Sequence, residues 1–80
     1  MTNQEVAERI GVTHSYISRL RAGQRLPSAR VIDELHREFG IPLLELMAAR
    51  RAGADVFGAL LRLYLDTEQA PNLDAEEATG

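Results

Sequence analysis

The chain is expected to be all-α, a small bundle of about five helices, and three observations lead there. Apolar residues recur at helical spacing, as at Val31, Ile32, Leu35 and Phe39. Glycine and proline punctuate the chain at short intervals, at Gly11, Gly23, Pro27, Gly40, Pro42 and Gly53. No stretch alternates apolar and polar residues as a half-buried strand would.

Each element follows from local rules. Thr2 or Asn3 caps the first helix, Glu5 lies early in it, and Val6, Ala7 and Ile10 form its inner face. Gly11 ends that helix, since glycine takes the left-handed stop conformation at little cost. Thr13 caps a second helix over residues 14–22, stopped by Gly23. Leu26-Pro27-Ser28 is a breaker followed by a cap. The third helix spans 29–39, turns Val31, Ile32, Leu35 and Phe39 to one side, and ends at Gly40. Pro42 suits the first turn of a fourth helix reaching about residue 51, with Leu43, Leu44, Leu46 and Met47 available to the core. Beyond Gly53 a fifth helix, about 55–65, carries Val56, Phe57, Leu60, Leu61 and Tyr64. Residues 67–80 are acidic and poor in apolar side chains, so disorder is the expected state there. The chain divides into a core over 1–52, an extra C-terminal helix over 53–66 that completes the core, dimerises or both, and the acidic tail 67–80.

Composition bounds the function. Eighty residues make one small domain with a thin core, which a second copy would help to stabilise. The absence of cysteine removes disulfides, thiolate metal sites and thiol catalysis together. No apolar run approaches the roughly 20 residues of a membrane span, and no secretory pattern opens the chain, so a cytoplasmic protein is expected. The net charge of −3 conceals a split: residues 1–65 hold nine Arg against seven acids, and the acids from Asp66 onward stand without a base. Between Arg9 and Ile32 there are five Arg and no Asp or Glu. Such a block is suited to a polyanion partner.

The segment holding that charge has the features of two helices crossing at a tight turn. Ala7 is small where the helices must touch, and Gly11 permits the turn. At about 100° per residue, Tyr16, Ile17 and Leu20 share one side of the second helix. Ser15, Ser18 and Ala22 face the opposite way, flanked by His14 and Arg19. Small side chains let a helix sink into the major groove, and longer polar ones at its rim reach base edges or phosphates.

These residues also carry a resemblance. Ala7, Gly11 and Ile17, framed by Val6 and Leu20, are spaced like the signature positions of the lambda-repressor/Cro-type (XRE-type) helix-turn-helix family. "TNQEVAERIGVTHSYISRLRAGQRLPS" is similar to that family's core throughout, including Gly-x-x-x-Pro-Ser after the second helix, and the likeness continues through "GIPLLEL" to about residue 47. It implies a lambda-repressor-like fold, double-stranded DNA as the partner and a role in transcription regulation, as in phage and prophage repressors. By position, it makes His14, Ser15, Ser18 and Arg19 the base-reading candidates. Asn3 stands where the family often has Gln, which implies a phosphate contact and a brace for His14.

Two departures stand out. Arg21 occupies a position where the family often has Glu, so an intradomain charge contact is replaced by more positive charge. The family's usual first helix does not precede residue 2, and the helix at 55–65 is the sizeable candidate to cover the surface it would bury. Further phosphate contacts are expected from Arg9, Arg21, Arg25 and Arg30, with Thr13 and Ser28 capping helix N-termini whose N–H groups attract anions. The surplus apolar surface of 55–65 is expected to form a homodimer seam.

Catalysis, cofactors and metals are not expected. Ser15 and Ser18 beside His14 lack a buried orienting acid, and Glu34, Glu38, Glu45 and His36 do not form a closed ligand set. Two other readings share the fold: an antitoxin-like or excision-type accessory protein with a protein partner, and a protein-interaction module without DNA binding.

Overall fold

The computed structural model describes residues 1–66; the tail 67–80, expected to be disordered, lies outside them. Five α-helices follow one another: α1 (Asn3–Ile10), α2 (His14–Arg21), α3 (Ala29–Phe39), α4 (Leu43–Ala52) and α5 (Ala54–Leu61), the last widening into a π-helical turn over Arg62–Asp66. There is no strand among the described residues. The described residues are all-α, and α1 and α2 are joined by a glycine turn, as expected.

The helix boundaries are set by caps. Thr2 Oγ1 accepts from Glu5 N–H while the Glu5 carboxylate accepts from Thr2 N–H, a reciprocal box that satisfies two orphan donors. Thr13 and Ser28 cap α2 and α3 by accepting from Tyr16 N–H and Val31 N–H at 3.1 and 3.3 Å. Gly11 at φ 73° turns the chain from α1 to α2. Pro42 stands just before α4 as its cap rather than within its first turn, and Ala22 caps α2 rather than belonging to it.

One apolar cluster joins the helices: Val6, Ala7 and Ile10 of α1, Ile17 and Leu20 of α2, Val31, Ile32 and Leu35 of α3, and Leu46 and Ala49 of α4. Ile41, between α3 and α4, is fully buried with them. Phe57 and Leu61 of α5 and Leu65 of the widened turn are fully buried in the same cluster. Each contributes about 1.5–3 kcal/mol by leaving water, a large share in a domain this small.

Helix α5 lies against α2 on one side and α4 on the other. Gly58 makes the first contact possible. A methyl group at its Cα would stand 2.8 Å from the Leu20 carbonyl oxygen and 2.9 Å from the Arg21 oxygen. The chain then returns to its beginning, where the Met1 ammonium donates to the Leu65 carbonyl at 3.4 Å.

The expected inward face of α4 needs correction. Of Leu43, Leu44, Leu46 and Met47, only Leu46 is buried; Leu44 is 80% exposed, with Leu43 and Met47 also open. Four apolar residues in five positions cannot all face one way on a helix, and α4 turns Leu46 and Ala49 inward. The open side continues onto α5, where Val56 and Leu63 are exposed and Leu60 is half-buried. Ala48, Ala49 and Ala59 sit between these larger side chains in a shallow apolar groove. At its margin Tyr64 Oη donates to Glu45 Oε1 at 2.6 Å, and that hydrogen bond, more than burial, holds the phenol pKa above its ordinary 10.0.

Candidate nucleic-acid interface

Helix α2 presents two unlike sides. Ile17 and Leu20 have no exposed surface, while His14, Ser15, Ser18, Arg19 and Ala22 are all exposed. The four candidate base readers are therefore brought onto one open face by the anchoring of the other. The N-terminus of α2 is capped by Thr13, and its first turn contains no acid. The same holds for α3 behind Ser28. Both ends thus keep the partial positive charge that attracts anions. At the α1 N-terminus, Glu5 already takes the Thr2 N–H and hydroxyl, and its carboxylate offsets that charge.

The loop after α2 is held rigidly. Gly23 at φ 76° closes the helix, with Gln24 N–H donating to Arg19 O at 2.9 Å and Gly23 N–H to Leu20 O at 3.2 Å. The Ser28 N–H reaches Tyr16 Oη at 3.4 Å, and Arg25 lies over the Tyr16 ring, 5.3 Å from its centroid. From α4, Arg50 Nε donates to the Pro27 carbonyl at 2.8 Å. Arg25 is thereby placed, exposed, beside Tyr16 of α2 on a braced loop.

The remaining candidates are less free. Arg9 stacks on Phe39 at 5.3 Å and approaches Glu38 at 3.9 Å, and Arg30 stands 3.9 Å from Glu34. These are exposed pairs of little energetic weight, and they leave both guanidinium groups accessible.

Arg21 is different, and the expectation of simple added positive charge is corrected. Its side chain is only 15% exposed and forms an ion pair with Asp66. Its Nη1 donates to Asn3 Oδ1 at 2.8 Å and to the Met1 carbonyl at 3.2 Å. Burial, and secondarily the nearby Arg62 charge, lowers its pKa, yet a guanidinium remains protonated at any ordinary pH. The intradomain charge contact is thus present with its own polarity. Asp66, the first of the C-terminal acids in the sequence, belongs to the folded part. Asn3 is bonded to Arg21, and among the described hydrogen bonds none joins it to His14.

Sequence reasoning passed over Asp66, Arg62, Arg50 and Gly58. Arg62 Nη1 donates to the Arg21 carbonyl, so the end of α2 is held at both backbone and side chain. Gly58 did carry a signal: a glycine inside an apolar helix costs about 1 kcal/mol against alanine, so it marks a close approach.

A capped helix with an acid-free first turn, anchored by an apolar stripe across a glycine turn, fits the second helix of a helix-turn-helix. Residues 1–46 match the family model described as helix-turn-helix, more than half of the chain, and the chain belongs to that family, of the XRE/lambda-repressor type. The family is one of DNA-binding regulators. No curated protein and no solved structure matches the chain. No described helix is long and apolar enough to cross a membrane.

Proposed function

We propose that this protein is a sequence-specific regulator of transcription that acts by occupying an operator, in the manner of a phage or prophage repressor of the Cro type. The carrying observation is the open face of α2, where His14, Ser15, Ser18 and Arg19 stand opposite fully buried Ile17 and Leu20. In this reading Arg19 pairs with a guanine edge, and His14, Ser15 and Ser18 complete the base contacts. Asn3, Thr13, Ser28, Arg9, Arg25 and Arg30 engage phosphates and fix the register. Arg21 leaves that set, because its donors are used within the domain.

The same reading includes a homodimer. Helix α5 is apolar on opposed sides: Phe57, Gly58 and Leu61 face the domain, whereas Val56, Ala59, Leu60 and, in the turn that follows, Leu63 line the open groove with Ala48. A helix apolar all round is ordinarily covered on every side. A second copy brings an identical face, which a two-fold axis requires, and doubles the contacts of a small reader. The groove also supports a second reading, an antitoxin-like or excision-type protein that docks a different protein there.

Selection of bound sequences from a random duplex pool tests the proposal. A palindromic consensus is expected, and Arg19→Ala should relax preference at one position per half-site, whereas Arg25→Ala should weaken all sequences alike. Recovery of no consensus, or no binding at low salt, refutes sequence-specific occupancy.

A further inference from the structure

Arg21 ends the helix assigned to base reading, but it is turned back into the domain, and what it touches is another candidate contact. A guanidinium has donors only, so the Asn3 amide meets it through oxygen. That fixes which way the amide points. With Oδ1 taken at 2.8 Å, the –NH2 group is turned away from Arg21, and among the described hydrogen bonds it has no acceptor. A free Asn side chain rotates and offers either end to a ligand; this one offers donors alone.

The clamp is itself over-determined. Nη1 is shared with the Met1 carbonyl, Asp66 takes the other terminal nitrogen, and Arg62 holds the Arg21 carbonyl. Paired with Asp66 and only 15% exposed, the Arg21 side chain has little surface left to offer a phosphate. The end of α2, the start of α1 and the turn after α5 therefore meet at one point.

We propose that Arg21 is a positioning residue for DNA recognition: it holds Asn3 with its amide donors outward, and Asn3, not Arg21, donates to the phosphate. The inference rests on the DNA-binding reading above. Because the clamp ties Asn3 to the last residue of α2, the phosphate contact is kept in register with the base-reading face. Arg21 thereby does through a neutral amide what a free arginine would do through charge.

A double-mutant cycle on a duplex carrying the selected sequence tests this, with affinity read by anisotropy across salt. Asn3→Ala and Arg21→Gln should each weaken binding roughly ten-fold, the loss of one hydrogen bond to a charged acceptor. The double variant should be no weaker than Asn3→Ala alone, since Arg21 acts through Asn3. The salt slope should be unchanged in Arg21→Gln. Multiplying effects, or a slope reduced by about 0.9, would show that Arg21 neutralises a phosphate itself, or acts through the fold at large, and would overturn the proposal. Should Arg21→Gln not fold, side-chain NMR of the wild type decides. The Asn3 –NH2 protons are expected to shift on duplex addition while the Arg21 Nε–H stays; the reverse pattern overturns it. Absence of wild-type binding to any duplex would refute the DNA reading itself, an outcome distinct from a bound duplex with an additive cycle.

Discussion

Gly58 of α5 approaches the Leu20 carbonyl so closely that a methyl group on its Cα would stand 2.8 Å from that oxygen. The opposing atoms are backbone, including the Arg21 oxygen and Gly23 nitrogen at 2.9 Å, and cannot swing aside. In an open helix, Gly→Ala stabilises by about 1 kcal/mol. Here the sign should reverse. Gly58→Ala is expected to destabilise by about 1–3 kcal/mol, the range for overpacking, as read from urea unfolding. A stabilised variant would mean that α5 does not lie against the end of α2.

The widened turn after α5 should be part of the core rather than a frayed end. Leu65 is 1% exposed and Leu63, two residues earlier, is 61% exposed. Leu65→Ala should cost about 2–5 kcal/mol and Leu63→Ala no more than about 0.5 kcal/mol in the monomer. Equal effects on thermal unfolding at low protein concentration would contradict the packing.

Glu5 gives a pH signature. The Thr2 N–H first, and then the Thr2 hydroxyl, hold its carboxyl pKa below the ordinary 4.5. A lowered folded-state value means stability that is present above 4.5 and lost as the pH falls through the lower folded value. Melting of the wild type and Glu5→Gln should therefore converge on acidification from pH 6 to about pH 3, with the wild type the more stable at pH 6. A constant difference across that window would show that the carboxylate does not form the capping box.

These tests separate what local rules make legible from what they do not. The caps Thr2, Thr13 and Ser28, the turn at Gly11 and the two sides of α2 follow from neighbours within a few positions, and each is found where expected. The inward face of α4 was not legible, because the run from Leu43 to Met47 is too uniformly apolar to show a phase. Which residues turn inward is decided by tertiary packing of α4 against α3 and α5. Arg21 failed to read for the same reason: its partner Asp66 lies beyond the last α-helix and looks, in sequence, like the start of the acidic tail. The base-reading candidates were legible as exposed positions because Ile17 and Leu20 fix the orientation of α2.

The open groove yields a prediction about assembly. The wild type should sediment as a dimer at on the order of tens of micromolar, the range in which an interface of this kind forms. Leu63→Asp combined with Val56→Asp should give a folded monomer, since both side chains line the groove and are exposed in the single chain. A wild type that stays monomeric at that concentration contradicts the homodimer.

The most direct test of the account is the affinity of the wild type for its selected duplex as a function of salt. Neutralising Z phosphates gives a log–log slope near −0.9Z. With Arg21 excluded, roughly three to four cationic contacts per protomer remain, and the slope should lie between about −2.7 and −3.6 for each protomer. That steep fall is expected despite a net charge of −3 on the chain, because Arg19 and Arg25 are in none of the described ion pairs and Arg9 and Arg30 stay accessible beside theirs. A flat response between low and moderate salt, or no measurable binding at the low end, would contradict it.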